Sequence, residues 1–240
     1  MNGPDFVRTR GGLRLSQHGV VISELRSRPG ATHSVWDVLA ALIAIFEPTG
    51  RVGVLGFSGG GMMAPLRRLG FAGAVDAVDL DRTSHGLFQE HCGSWAGTVR
   101  WTHGDAVAWL RAQPRGFAML VEDLSVPVDG DVIKPAVCWE QLPALIRSKL
   151  KPGGVAVFNL LPRADNTWPP DLARLASLFG STLAVEFEGF ENRVLVAGDA
   201  IPSARVLGAH LRNALRRLRS RQAGRVRVRS RLPSVGAPSD

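Results

Sequence analysis

The 240-residue sequence contains no tyrosine and only two cysteines, Cys92 and Cys138. Neither cysteine sits close to other metal-ligating residue types, so neither a disulfide framework nor a zinc site is expected, and no metal is. Sparse cysteine suits a reducing, cytoplasmic setting. No apolar run approaches the roughly 20 residues that cross a bilayer, and Val38 to Phe46 is far too short. The opening MNGPDFVRTRGGLRL lacks an apolar core ahead of a cleavage site, so neither a secretory leader nor a membrane role is expected. There is no internal repeat. Acids are missing from Arg205 to Arg231, where ten arginines fall. Those ten exceed the +8 net charge of the whole chain, so the basic character belongs to the C-terminal segment and the remainder is charged like an ordinary enzyme.

What is present is organised around Arg51 to Asp81, RVGVLGFSGGGMMAPLRRLGFAGAVDAVDLD. A short apolar run leads into the glycine-rich Gly56 to Gly61. Met62 to Leu69 has helical character, and Ala74 to Val78 is a second apolar run ending in Asp79 and Asp81. The pattern is strand, tight turn, helix, strand, with an acid at the second strand's carboxyl end. In an open parallel sheet, ligands bind outside the carboxyl ends of the strands, and an acid there can hold a ribose diol.

In chain order, Gly11 to Arg28 reads as a β-hairpin turning at Gln17-His18-Gly19. Ser34 caps a helix running to Phe46. After Asp81 come a helix to about His91, a strand Val99 to His103 ending in Gly104-Asp105, and a helix from Ala106 to Gln113. The apolar strand Phe117 to Val121 ends in Glu122-Asp123, and a Pro, Asp and Gly-rich loop follows. A helix from Val137 to Leu150, a Lys-Pro-Gly-Gly turn and a strand Val155 to Leu160 come next. Ala173 to Phe179 is helical, and Leu183 to Phe187 with Arg193 to Ala197 closes the sheet as an antiparallel pair. Strands alternating with helices give an α/β chain with a mostly parallel sheet covered on both faces. Three parts are expected: an N-terminal hairpin and helix over 1–47, a Rossmann-like ligand-binding domain over 48–200, and a basic tail over 201–240. In the tail a helix fits Ala204 to Leu218, and Gly224 to Asp240 reads as disordered.

Three ligands compete for the turn. A dinucleotide fingerprint wants G-x-G-x-x-G, and Ser58 stands at its middle glycine. Gly56 to Gly60 also fits the G-x-S-x-G elbow of an α/β-hydrolase with Ser58 as nucleophile. No oxyanion-donor stretch precedes it, however, and its late histidine would have to be His210. The third reading is S-adenosylmethionine: Gly56, Ser58, Gly60 and Gly61 cradle the amino-acid end, Asp79 holds the ribose and Asp105 faces the adenine. Asp123 lies where sulfonium and acceptor meet. A series of acidic strand ends in this order is more specific than a glycine count.

On these residues the chain, from about Leu13 to Ala197, resembles the spermidine synthases and their relatives within the class I methyltransferase fold. The family's V-L-x-I-G-x-G-x-G-G looks like Val52 to Gly61, its E-x-D like Asp79-Leu80-Asp81 and its G-D like Gly104-Asp105. Its D-S-S-D-P looks like Asp123-Leu124-Ser125-Val126-Pro127, and the K-P-G-G turn is kept. Its N-terminal L-D-G and Y-H-E are similar to Leu15 to Gly19 and Thr32-His33-Ser34. The resemblance implies a transferase that moves a methyl or aminopropyl group from S-adenosylmethionine or its decarboxylated form to a small-molecule acceptor. It also implies Asp123 as the catalytic residue and a homodimer built partly through the hairpin. Three departures fall on the acceptor side. Val126 replaces the second loop acid, Ile22 replaces a glutamine, and the acceptor-pocket tyrosines have no counterpart. A chain that binds the nucleoside without chemistry is the alternative these departures motivate.

Each candidate also has a structural role open to it. Asp79 and Asp105 stand where helix caps belong, Asp81 is read as the cap of a helix beginning near Thr83, and the tryptophans Trp36, Trp95, Trp101, Trp109 and Trp139 read as packing. His33 is a lesser candidate for the acceptor pocket. The arginine tail is read as a solvated extension, with non-specific contact to nucleic-acid phosphates as the lesser alternative. It has no interleaved aromatics for base recognition.

Overall fold

The stretch from Arg51 lies at the centre of the main sheet in the computed structural model, which describes residues 4–128, 130–162, 168 and 171–230. A small antiparallel sheet comes first: β1 (Asp5–Thr9), β2 (Gly12–Gln17) and β3 (Val20–Arg26) in the order β1-β2-β3. Its second turn falls where expected, with His18 and Gly19 both at positive φ, 49° and 81°, the combination a two-residue hairpin needs. α1 (Val35–Phe46) follows, capped by Ser34, whose hydroxyl accepts from the Trp36 N–H.

The body continues through β4 (Arg51–Leu55), α2 (Met63–Arg68), β5 (Val75–Asp79), α3 (Arg82–Cys92), β6 (Val99–His103), α4 (Ala106–Ala112) and β7 (Phe117–Glu122). Then come β8 (Val126–Val128), β9 (Asp131–Ile133), α5 (Val137–Glu140), α6 (Leu142–Lys149), β10 (Leu150–Leu160), α7 (Asp171–Ser177), β11 (Ser181–Phe187), β12 (Arg193–Gly198), α8 (Ala204–Leu218) and β13 (Val226–Arg229). The main sheet runs β13-β11-β12-β10-β7-β4-β5-β6 among the described residues. β10, β7, β4, β5 and β6 are parallel, and β12, β11 and β13 add antiparallel strands beyond β10. This is the expected architecture, a mostly parallel sheet closed by the antiparallel pair β11 and β12, with β13 added beyond them. β7 and β4 lie inside its parallel part, and every residue of β7 is buried. Strands covered on both faces read as continuous apolar runs rather than alternating ones. One face packs on α1, α2, α3 and α8 through residues such as Leu42, Met63, Phe88 and Leu211. The other packs on α4, α6 and α7 through Leu110, Ile146 and Leu175.

Four details differ from the sequence expectation. β1 is an extra strand, and the loop after β7 folds into the β8-β9 hairpin. The helix expected over 137–150 breaks at Gln141, where Pro143 opens a new first turn. β10 starts at Leu150, and its pairing with β7 shifts between Leu150 and Val155 across the Lys-Pro-Gly-Gly stretch.

The largest difference is at the C-terminus. Residues 204–230, expected as a tail apart from the body, fold onto it. α8 buries Leu207, Leu211, Leu215 and Leu218 against α1 and the sheet, each side chain stabilising by roughly 1.5–3 kcal/mol. β13, inside the stretch read as disordered, pairs with β11, Val226 opposite Phe187 and Val228 opposite Val185. Residues 231–240 of that stretch lie outside the described residues. Among the described residues no helix is long and apolar enough to cross a membrane.

Candidate functional site

Strand order fixes where a ligand can enter. From β4 the chain moves outward through β5 and β6, then returns to β7 on the other side of β4. The crevice at such a reversal opens outside the carboxyl ends of the flanking strands, here β4 and β7. Gly56, Asp79 and Asp123 stand at the ends of β4, β5 and β7.

Gly56 leaves β4 at φ 86°, and a Cβ on it would lie 2.7 Å from the Asp123 carbonyl oxygen. The Asp123 N–H in turn donates to the Leu55 carbonyl at 2.8 Å. Glycine is therefore what lets the two strand ends meet. The next glycines are packed as closely from other directions. A Cβ on Gly59 would meet Leu25 and Leu15 of the small sheet, one on Gly60 the rings of Phe57 and Phe88, and one on Gly61 the Trp36 indole. The turn is clamped between the N-terminal sheet, α1 and α3.

Asp79 is half-buried at the end of β5. Its carboxylate accepts from the Ser58 N–H at 2.7 Å and the Asp81 N–H at 2.8 Å, which ties the acid to the glycine turn. Burial pushes its pKa up, opposed by those backbone N–H groups. Each oxygen keeps a lone pair for a further donor. Leu80 beside it is 59% exposed, and the Gly104 N–H donates to the Asp79 carbonyl, bringing the ends of β5 and β6 together. Asp81 caps α3 as expected, accepting from the Thr83 and Ser84 N–H groups. Asp105 is exposed and caps α4 through the Ala108 N–H at 2.8 Å.

Asp123 is the centre of a polar chain that sequence reading missed. Asn159, near the end of β10, donates to its Oδ1 at 2.6 Å, and Asn192 donates to Asn159 at 3.0 Å. The Trp36 indole N–H donates to Oδ2 at 3.3 Å. Trp36, expected as packing, is thus also a donor to the candidate acid. Its place is fixed by the first turn of α1, where the fully buried Asp37 accepts from the Thr32 and His33 N–H groups. Burial pushes the Asp123 pKa up to about 6, with the Asn159 hydrogen bond, the Lys134 charge and the Trp36 hydrogen bond opposing and the Glu122 charge adding.

Glu122, one residue earlier, points into the protein. It is fully buried and paired with Lys134, itself 3% exposed, at 2.7 Å. Lys134 also donates to the Leu124 carbonyl, and the Leu124 N–H donates to Glu122, so this pair pins the hairpin to the end of β7. The hairpin tip reaches the N-terminal sheet, where the Gly130 N–H donates to the His18 carbonyl. Val126, in the position of the family's second acid, is 42% exposed.

Two lesser readings gain nothing here. His33 is engaged elsewhere: its Nδ1 accepts from the Arg221 N–H and its carbonyl from the Gln222 side chain, so it anchors the C-terminal segment. Ser58 has a strained φ of 45°, but its hydroxyl is buried without a hydrogen-bond partner among the described residues, and His210 is exposed on α8. A serine nucleophile needs an adjacent base, so the hydrolase alternative has no support. Among the described residues no cluster of His, Cys, Asp and Glu could hold a metal.

No protein-family model and no curated protein matches this sequence. Solved structures do. A probable spermidine synthase from Corynebacterium glutamicum superposes with TM-score 0.72 at 15% identity, over 95% of this chain and 87% of that one. A spermidine synthase in complex with the transition-state analogue AdoDATO gives 0.63 at 13% identity, over 83% and 71%. Human methyltransferase-like protein 13 in complex with SAH gives 0.57 at 22% identity, over 77% and 90%. The chain has the spermidine synthase-like class I methyltransferase fold.

Proposed function

We propose that this protein is a transferase that uses S-adenosylmethionine or its decarboxylated form to pass a methyl or aminopropyl group to a small-molecule acceptor. One observation carries the proposal: two desolvated carboxylates, Asp79 and Asp123, flank the glycine turn at the switch point of the sheet. Desolvated anions favour a cationic partner, and a sulfonium nucleoside offers a diol for one and a positive charge for the other. The fold neighbours bound to SAH and to AdoDATO support the same ligand class.

In this proposal Gly56, Ser58, Gly60 and Gly61 form the wall against the donor's amino-acid end, and Asp79 accepts from the ribose hydroxyls. The exposed Leu80 offers an apolar face for the base, and Asp105 accepts from the adenine amino group. When bound, the sulfonium supplies an activated carbon, and the protein's contribution is mainly alignment. Asp123, oriented by Asn159 and Trp36, accepts a hydrogen bond or proton from the acceptor. The exposed Phe6 and Val7 on β1 support a homodimer through the N-terminal sheet.

Calorimetric titration with S-adenosylmethionine, its decarboxylated form and methylthioadenosine tests the proposal. Tighter binding of the carboxylated donor points to methyl transfer, and tighter binding of the decarboxylated one points to aminopropyl transfer despite Val126. Binding of none overturns it. Binding without turnover across an amine and hydroxyl acceptor panel would favour a nucleoside-binding protein that has lost its chemistry.

A further inference from the structure

We propose that α8 and the segment after it form a docking surface for the phosphate backbone of nucleic acid, separate from the donor crevice. α8 spends its apolar side on α1 and the sheet, leaving its arginines outward. Arg205, Arg216, Arg217, Arg219 and Arg221 are exposed and Arg212 is half-buried. Among the described residues none of these six guanidinium groups has a carboxylate partner, whereas Arg227 and Arg229 on β13 are paired with Glu188 and Glu186. Arg205, Arg212 and Arg216 are spaced by seven and four residues, so they share one stripe of the helix. At 1.5 Å per residue that stripe is about 16 Å long.

Three features select a phosphodiester chain over other anionic partners. The segment from 201 to 240 carries arginine and no lysine, and the guanidinium fork pairs with phosphate oxygens through two hydrogen bonds. Membrane-surface helices insert an apolar face, but here that face is already buried and Val206 is the one large apolar residue of α8 that is exposed. A folded helix also holds the charges in place before contact, unlike a disordered tail, so less ordering entropy opposes binding. With no Phe, Trp or Tyr between residues 201 and 240 for stacking, recognition is through backbone charge and without sequence preference.

The test is fluorescence anisotropy of a labelled 20-base-pair duplex with the full chain over a range of sodium chloride. Two variants with equal loss of charge are compared, Arg205→Gln with Arg216→Gln, and Arg227→Gln with Arg229→Gln. The wild-type affinity falls steeply with salt. The first variant lowers the slope of log affinity against log salt by about 2 and the affinity at 0.1 M salt by about 60-fold. The second changes affinity less than about threefold, because its arginines are already neutralised by glutamates. Glutamine keeps helix propensity, and circular dichroism confirms that each variant is folded. Equal losses in the two variants reduce the effect to net charge and overturn the proposal. So does the absence of salt-dependent binding, and so does tighter binding to phosphatidylserine vesicles than to the duplex.

Discussion

The raised pKa of Asp123 makes the protein's stability depend on pH in a calculable way. The group titrates at about 6 in the folded chain against an ordinary 3.8. Between those values the folded chain binds the proton more tightly than the unfolded one. Stability from Asp123 is therefore full below pH 3.8 and lost as pH rises through about 6. At 1.36 kcal/mol per pKa unit the full swing is about 3 kcal/mol, and between pH 4.5 and 7.5 about 2 kcal/mol of it is expressed. Asp123→Asn is uncharged at every pH and lacks this dependence. Its new amide changes the contacts with Trp36 and Asn159 by an offset that does not vary with pH. The difference in unfolding free energy between wild type and variant, from urea titrations at both pH values, isolates the carboxylate from all other groups. Wild type should gain about 2 kcal/mol on the variant at pH 4.5, or about 4–8 °C in Tm for a chain of this size. A difference that stays flat across this range would show that Asp123 is not desolvated, and the electrostatic case for a sulfonium beside it would fall with it.

Other consequences follow from the same geometry. Lys134→Met leaves the Glu122 carboxylate buried without its cation and should cost about 3–5 kcal/mol in urea unfolding, most of it recovered when Glu122→Leu is added. Gly56→Ala places a Cβ against the Asp123 carbonyl at a φ only glycine tolerates, and should weaken donor binding in calorimetry by about tenfold or more. Burial pushes the Cys92 thiol up to about 12 and raises the Cys138 thiol as well. Both should resist Ellman's reagent at pH 8 in the native protein and react at once in guanidinium chloride.

The parallel sheet, the glycine turn and the acidic strand ends were legible because each leaves a local trace. β4 and β7 are apolar runs, the turn is a glycine cluster, and Asp81 occupies a cap position two residues before Thr83. The β8-β9 hairpin and β13 are three or four residues long and draw their stability from partners distant in sequence, β13 from β11 and the hairpin from Lys134 on Glu122. The alternation of Val226 and Val228 with Arg227 and Arg229 was a strand signal, but the arginine density masked it.

The glycines illustrate how a correct signal can have a second cause. The cluster at Gly56 to Gly61 suggested a ligand wall, yet a side chain at Gly56, Gly59, Gly60 or Gly61 would strike protein atoms on every occasion: the Asp123 backbone, Leu25, Phe88 and Trp36. Close packing alone would demand them. What packing does not demand is a desolvated acid at Asp123, held by a chain from Asn192 and Asn159 on one side and Trp36 on the other. These residues come from four separate parts of the sequence, so no spacing could reveal them. The hydrogen bonds from Asn159 and Trp36 and the Lys134 charge offset only part of the cost of desolvating this half-buried carboxylate, and the remainder is a loss of stability at neutral pH. A cationic ligand would recover it. The expense of Asp123, more than the glycine count, is the reason to look for a sulfonium in this crevice.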